Sequence, residues 1–174
     1  MKARFLLLPA AALVIASPVH AKVYLSVEQA QQLMFPGASF TPQFLTLTDT
    51  QVTAIESASD ATVLNRALKV WKVSTGGWFI VDEVVGKHEF IPIALAIDAS
   101  GAVKDIEILE YREAYGDDVR NAQWRAQFTG KRNGARLTLT DDIQNISGAT
   151  LSSKHVTDGV RRLLATYVVA IAPH

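Results

Sequence analysis

The stretch over residues 156–171 constrains the fold more than any other part of the chain. Val156, Val160, Leu163, Leu164, Tyr167, Val168 and Ile171 fall at i, i+4, i+7, i+8, i+11, i+12 and i+15, the spacing of a helix with one apolar stripe. Asp158, Arg161, Arg162 and Thr166 lie on the opposite side. A stripe of this kind must be covered by another layer of structure. Residues 163–172 are almost continuously apolar, yet ten residues are about half of what a membrane-spanning helix needs, so the segment reads as a core helix.

The middle of the chain supplies the second layer. Val70-Trp71-Lys72-Val73 and Trp78-Phe79-Ile80-Val81 flank a Gly76-Gly77 turn and read as a hairpin. Residues 91–97 and 103–109 flank Asp98-Ala99-Ser100-Gly101 and make a second hairpin. Upstream, residues 25–34 predict a short helix, with Ser26 as N-cap, Gln29 at the capping-box position and Pro36-Gly37 ending it. A second helix is predicted over 49–59. The expected fold is a single α+β domain: an antiparallel sheet of hairpins packed against a C-terminal amphipathic helix and N-terminal helices. Trp71 and Trp78 are expected in its core.

Residues 1–21 stand apart. Lys2 and Arg4 precede an apolar run over 5–16, and Val19-His20-Ala21 places small residues where a signal peptidase cuts. Pro9 and Pro18 interrupt the segment, which favours a cleaved signal peptide over an uncleaved anchor. The expected organisation is a signal peptide (1–21), an N-terminal helical segment (22–65) and a functional domain (66–174), exported to the periplasm. The chain has no cysteine, which excludes disulfides, thiolate zinc sites, cysteine-ligated iron–sulfur clusters, covalently attached c-type haem and thiol nucleophiles. Seventeen basic residues balance seventeen acidic ones, so no nucleic-acid partner is expected.

The chemistry concentrates just before the terminal helix, in Asn145-Ile146-Ser147-Gly148-Ala149-Thr150-Leu151-Ser152-Ser153. Ser147, Thr150, Ser152 and Ser153 carry hydroxyls, and Gly148 and Ala149 allow close approach to the backbone. Ser152 or Ser153 is a natural N-cap, and the start of a long helix favours a phosphate through its open N–H groups and its dipole. On spacing alone, a phosphate-bearing cofactor and a loop that merely caps the helix both remain open.

The string Ser147-Gly148-Ala149-Thr150-Leu151-Ser152-Ser153 resembles the signature of the FMN-binding domain family, found in subunits of sodium-pumping NADH:quinone reductase and Rnf-type complexes and in small stand-alone exported proteins. Glu113-Ala114-Tyr115-Gly116 resembles that family's Glu-Thr-Pro-Gly loop. Trp124-Arg125-Ala126-Gln127-Phe128-Thr129-Gly130-Lys131 resembles its Trp…Phe-x-Gly-Lys stretch. The resemblance spans about residues 78–170. It implies FMN as cofactor, joined as a phosphodiester to Thr150 by a magnesium-dependent flavin transferase that uses FAD. It also implies a binding set of Thr150, Ser147, Gly148, Ala149, Leu151, Ser152, Ser153, Glu113 and Tyr115. Two departures are visible: Gln144 stands where the family has an aspartate, with Asp141 and Asp142 out of register, and Ala114-Tyr115 replaces Thr-Pro. Tyr115 or Tyr111 is expected beside the flavin ring, the alternative being that one or both face the core.

Other residues offer less. His88 falls in a turn; His155 near Thr150 has phosphate or solvent as alternative partners; His174 is terminal. Arg112, Arg120 and Arg125 are candidates to balance flavin charge, against ordinary salt pairing. No His-Glu-x-x-His spacing and no Gly-x-Ser-x-Gly elbow occurs, so no metal and no catalytic residue is named. The expected function is a periplasmic electron carrier with membrane-bound or periplasmic redox partners. The alternatives are a cofactor-free exported binding or assembly module, and a small reductase with noncovalent flavin.

Overall fold

The computed structural model describes residues 22–172; the expected signal peptide and His174 lie outside them. In chain order come β1 (Lys22–Val23), α1 (Val27–Met34), β2 (Phe40–Pro42), β3 (Leu45–Thr46), α2 (Asp49–Ser59), β4 (Ala67–Val73), β5 (Trp78–Val85), β6 (Phe90–Ile97), β7 (Val103–Ile108) and β8 (Glu110–Tyr111). A 3₁₀ turn (Asp117–Arg120), α3 (Ala122–Arg125), a second 3₁₀ turn (Ala126–Phe128) and α4 (Thr150–Thr166) follow, and α4 runs into a π-helical turn (Tyr167–Ile171). The central antiparallel sheet has the order β2-β4-β5-β6-β7, with β3 also on β4, while β1 pairs with β8.

Alternation along the strands divides the interior in two. Ile80 and Val84 of β5, and Ile91, Ile93, Leu95 and Ile97 of β6, join Val156, Val160, Leu163 and Leu164 of α4 in the larger core. Phe79, Ala94 and Ala96 face the other way, with Met34 and Phe35 at the end of α1. Trp78 packs against the first of these cores and Trp71 against the second, both half-buried rather than enclosed. The two alanines on β6 let α1 lie close to the sheet, and Lys104 Nζ donates to Met34 O at 2.7 Å. Burying each large aliphatic side chain contributes roughly 1.5–3 kcal/mol, which is where a chain without disulfides obtains its stability.

Both expected hairpins and all three expected helices form. Ser26 and Gln29 make the capping box of α1, and Thr48 with Gln51 makes one for α2. Gly76 and Gly77 take φ of 93° and 94°, and Asp98 Oδ1 accepts from the Ser100 and Ala102 N–H groups in the second turn. Two details differ from the sequence reading. β5 continues to Val85 because Asp82, the polar residue that ends the apparent run, is neutralised inside the protein by Arg162 at 2.9 Å. The terminal stripe stops being regular at the π turn, whose wider pitch leaves Val168 42% exposed. Among the described residues no helix is long and apolar enough to cross a membrane.

Candidate functional site

Two loops far apart in sequence meet at the start of α4. Tyr111, at the end of β8, is 2% exposed. Its hydroxyl donates to Tyr115 O at 2.7 Å and lies 2.8 Å from Ser152 Oγ. A phenol has one proton and here it goes to the carbonyl, so Ser152 is the donor in the second bond. Burial pushes the Tyr111 hydroxyl above its ordinary pKa, which keeps that proton in place. Gly116 completes the junction: a Cβ there would sit 2.5 Å from the Tyr111 hydroxyl and 2.6 Å from Ser152 Oγ. The 113–116 loop is thereby locked onto the first turn of α4.

That turn begins earlier than expected. Thr150 is the first residue of α4 and Ala149 occupies the N-cap position, where no side chain accepts from the helix. Neither Ser152 nor Ser153 is the cap, which corrects the sequence reading; Ser152 is bonded to Tyr111, and Ser153 is fully buried with its Oγ unpartnered. Ala149 N–H bonds to Ile146 O and Ser153 N–H to Ala149 O. The N–H groups of residues 150–152 are thus left at an uncapped helix end, beside Gly148, which has φ of 84° and open space around it. This end of a helix carries partial positive charge.

Thr150, Leu151, Ser147 and Gly148 are exposed. The Thr150 hydroxyl oxygen accepts from Asn145 Nδ2 at 3.0 Å. That bond orients the oxygen and leaves its own proton free, and a donor so placed stabilises charge developing on the oxygen. Beside it lies an open groove of about 600 Å³ lined by Asp118, Trp124, Gln127, Gln144, Asn145 and Ser147, among others. Its wall is fixed by Trp124 Nε1, which donates to Gln144 O at 2.6 Å, and by Gln127 Oε1, which accepts from Gln144 N at 2.8 Å. Tyr115 projects as an 86% exposed ring. A reachable hydroxyl, free N–H groups, an open glycine and an adjoining slot together fit a phosphate-bearing aromatic cofactor.

The other candidates are distributed as follows. Tyr111 faces the core, leaving Tyr115 as the available aromatic. Glu113 Oε1 accepts from the N–H groups of His88 at 2.6 Å and Glu89 at 3.0 Å. Burial alone would raise the Glu113 carboxyl, but the donors of residues 87–89 outweigh it and hold its pKa below the ordinary value. His88 itself is exposed. His155 lines a different groove, with Val84, Val85 and Arg162. Arg125 is taken up by Glu107 and by Ile106 O, Arg112 pairs with Glu110, and Arg120 stacks on Tyr24. Asp142 binds Lys131 and the Thr138 N–H, and Asp141 pairs with Arg136, so neither replaces the missing acid at Gln144. Asn145 and the Tyr111–Ser152 link are absent from the sequence-derived site; their partners are 5 and 41 residues away, and no periodicity announces such contacts.

Comparison with known proteins decides between a loop and a site. Residues 86–165 match the FMN-binding domain family. The cofactor indicated is FMN, and the matched stretch contains the 113–116 loop, the Trp124 segment and the whole 147–153 string. The FMN-binding domain is also similar to one subunit of the Na(+)-translocating ferredoxin:NAD(+) oxidoreductase complex of Acetobacterium woodii, with 30% identity over 86 residues. The similarity covers 44% of this chain and 42% of that relative, so the chain spans less than half the length of the protein it resembles.

Proposed function

We propose that this chain is an exported, periplasmic flavoprotein that carries electrons through FMN, held as a phosphodiester on Thr150. The observation that carries the reading is the exposed Thr150 hydroxyl, oriented by Asn145 at an uncapped helix start next to an open groove. The similarity to a subunit of a ferredoxin:NAD(+) oxidoreductase complex supports electron transport and redox partners in a larger assembly. The sequence over 1–21 supports export.

Bound FMN supplies the redox chemistry. The chain's own residues do the rest. Thr150 Oγ1 forms the bond to the FMN phosphorus of FAD as the P–O–P anhydride breaks; AMP leaves, and the hydroxyl proton passes to a base of the transferase or to water. Asn145 steadies the oxygen during that exchange. The N–H groups of the first α4 turn and the open backbone at Gly148 accommodate the phosphodiester charge. Tyr115 and Leu151 offer apolar surface to a flat ring, and Tyr111 and Ser152 hold the two loops in register.

Co-expression with a flavin transferase, followed by intact-mass analysis of the periplasmic protein, tests this. The expected result is a gain of one FMN less one water, abolished in T150A, with flavin fluorescence that survives denaturation. Flavin that leaves on denaturation would instead identify a noncovalent reductase. Absence of any flavin would favour a cofactor-free module, the reading that Gln144 supports.

A further inference from the structure

We infer that Glu113 is a positioning residue: its carboxylate clasps the tip of the β5–β6 hairpin and thereby sets the pose of Tyr115 at the flavin site. The inference rests on the proposed attachment of FMN to Thr150. Within the family pattern Glu113 stands among residues expected to touch the cofactor, but its geometry gives it other work.

Oε1 of Glu113 receives the backbone N–H groups of His88 and Glu89, residues at the tip of a hairpin 25 and 24 positions earlier in the chain. Gly86 makes the fit possible, because a Cβ there would collide with the same carboxylate oxygen and with Glu89 O. At the other end of the loop, Tyr111 and Gly116 fasten it to Ser152. The loop is therefore tied at two points, and Tyr115 lies between them with its carbonyl held and its ring free. Hydrogen bonds to an ionised carboxylate are stronger than neutral ones and persist at partly exposed sites. Releasing the Glu113 end would leave one tie, and the ring of Tyr115 would sample a wider arc.

Two readouts test this, one of them without cofactor. In the unloaded protein, amide hydrogen exchange at His88 and Glu89 should quicken about tenfold or more in E113A. In the loaded protein, Tyr115 should quench flavin fluorescence by passing an electron to the excited ring and taking it back. Quenching should be strong in the parent, lost in Y115L, and reduced with a broadened lifetime distribution in E113A. Intact mass, read first, reports Thr150 attachment separately. Full attachment with the same lifetimes in the parent and E113A overturns the positioning role and leaves the carrier intact. A parent protein that takes up no flavin overturns the carrier and this role with it. Should E113A fail to fold, E113Q, which keeps an acceptor oxygen and loses the charge, is expected to show smaller shifts in both readouts; parent values in both would overturn the role.

Discussion

At the scale of single residues, the site depends on polar atoms whose partners are already assigned. The Tyr111 hydroxyl both gives and receives a hydrogen bond in a buried position. Y111F would leave Tyr115 O and Ser152 Oγ without that partner, at a cost of about 1–3 kcal/mol. Urea denaturation should show this, and amide exchange in the 113–116 loop should rise with it. Asp142 is the second case. Burial would raise its carboxyl, but the Thr138 N–H, the Lys131 ammonium and the Leu137 N–H outweigh that and place its pKa below the ordinary value. A depressed carboxyl contributes stability above its unfolded pKa, and that contribution disappears as pH falls from about 4 through the lower folded value. Denaturation curves collected across that acid range should show a steeper loss for the parent than for D142N.

Between elements, the contact of α4 with β5 carries the closest packing. Gly159 lies against Val84 so tightly that a Cβ would overlap Val84 Cγ1. Although alanine is the better helix former, G159A should destabilise the protein by about 1–3 kcal/mol through overpacking, measurable as a lower denaturation midpoint. Three residues on, Arg162 joins Asp82, Thr62 O and Glu83 O, with side-chain exposures of 6% for Arg162 and 10% for Asp82. R162M would strand a buried carboxylate and should cost about 3–5 kcal/mol. This pair also explains what the sequence could and could not reveal. The helices at 27–34 and 49–59 are legible from their capping residues and spacing, and the hairpins from their glycine turns. The far half of β5 is not, because Asp82 reads as a surface residue until Arg162 is placed beside it. The two-residue strands at 22–23, 45–46 and 110–111 are too short to carry any period. At the site, the 147–153 string is legible as chemistry, whereas the duties of Glu113 and Asn145 depend on which backbone and side chain the fold delivers to them.

Across the whole molecule, α4 is the one helix of the three long ones that opens without a side-chain acceptor. Ser26 closes α1 and Thr48 closes α2, but Ala149 gives α4 nothing. An anion settling on that first turn would do for α4 what a serine or threonine does elsewhere, an effect of about 1 kcal/mol. Reciprocity then applies: whatever the folded chain gains from the ligand, the ligand gains from the folded chain. Calorimetry of loaded and empty preparations should find the loaded one melting roughly 2–4 °C higher on this account alone. Maturation and thermal robustness would be two readings of one event, with the flavin's phosphate supplying the terminus that the polypeptide does not provide for itself.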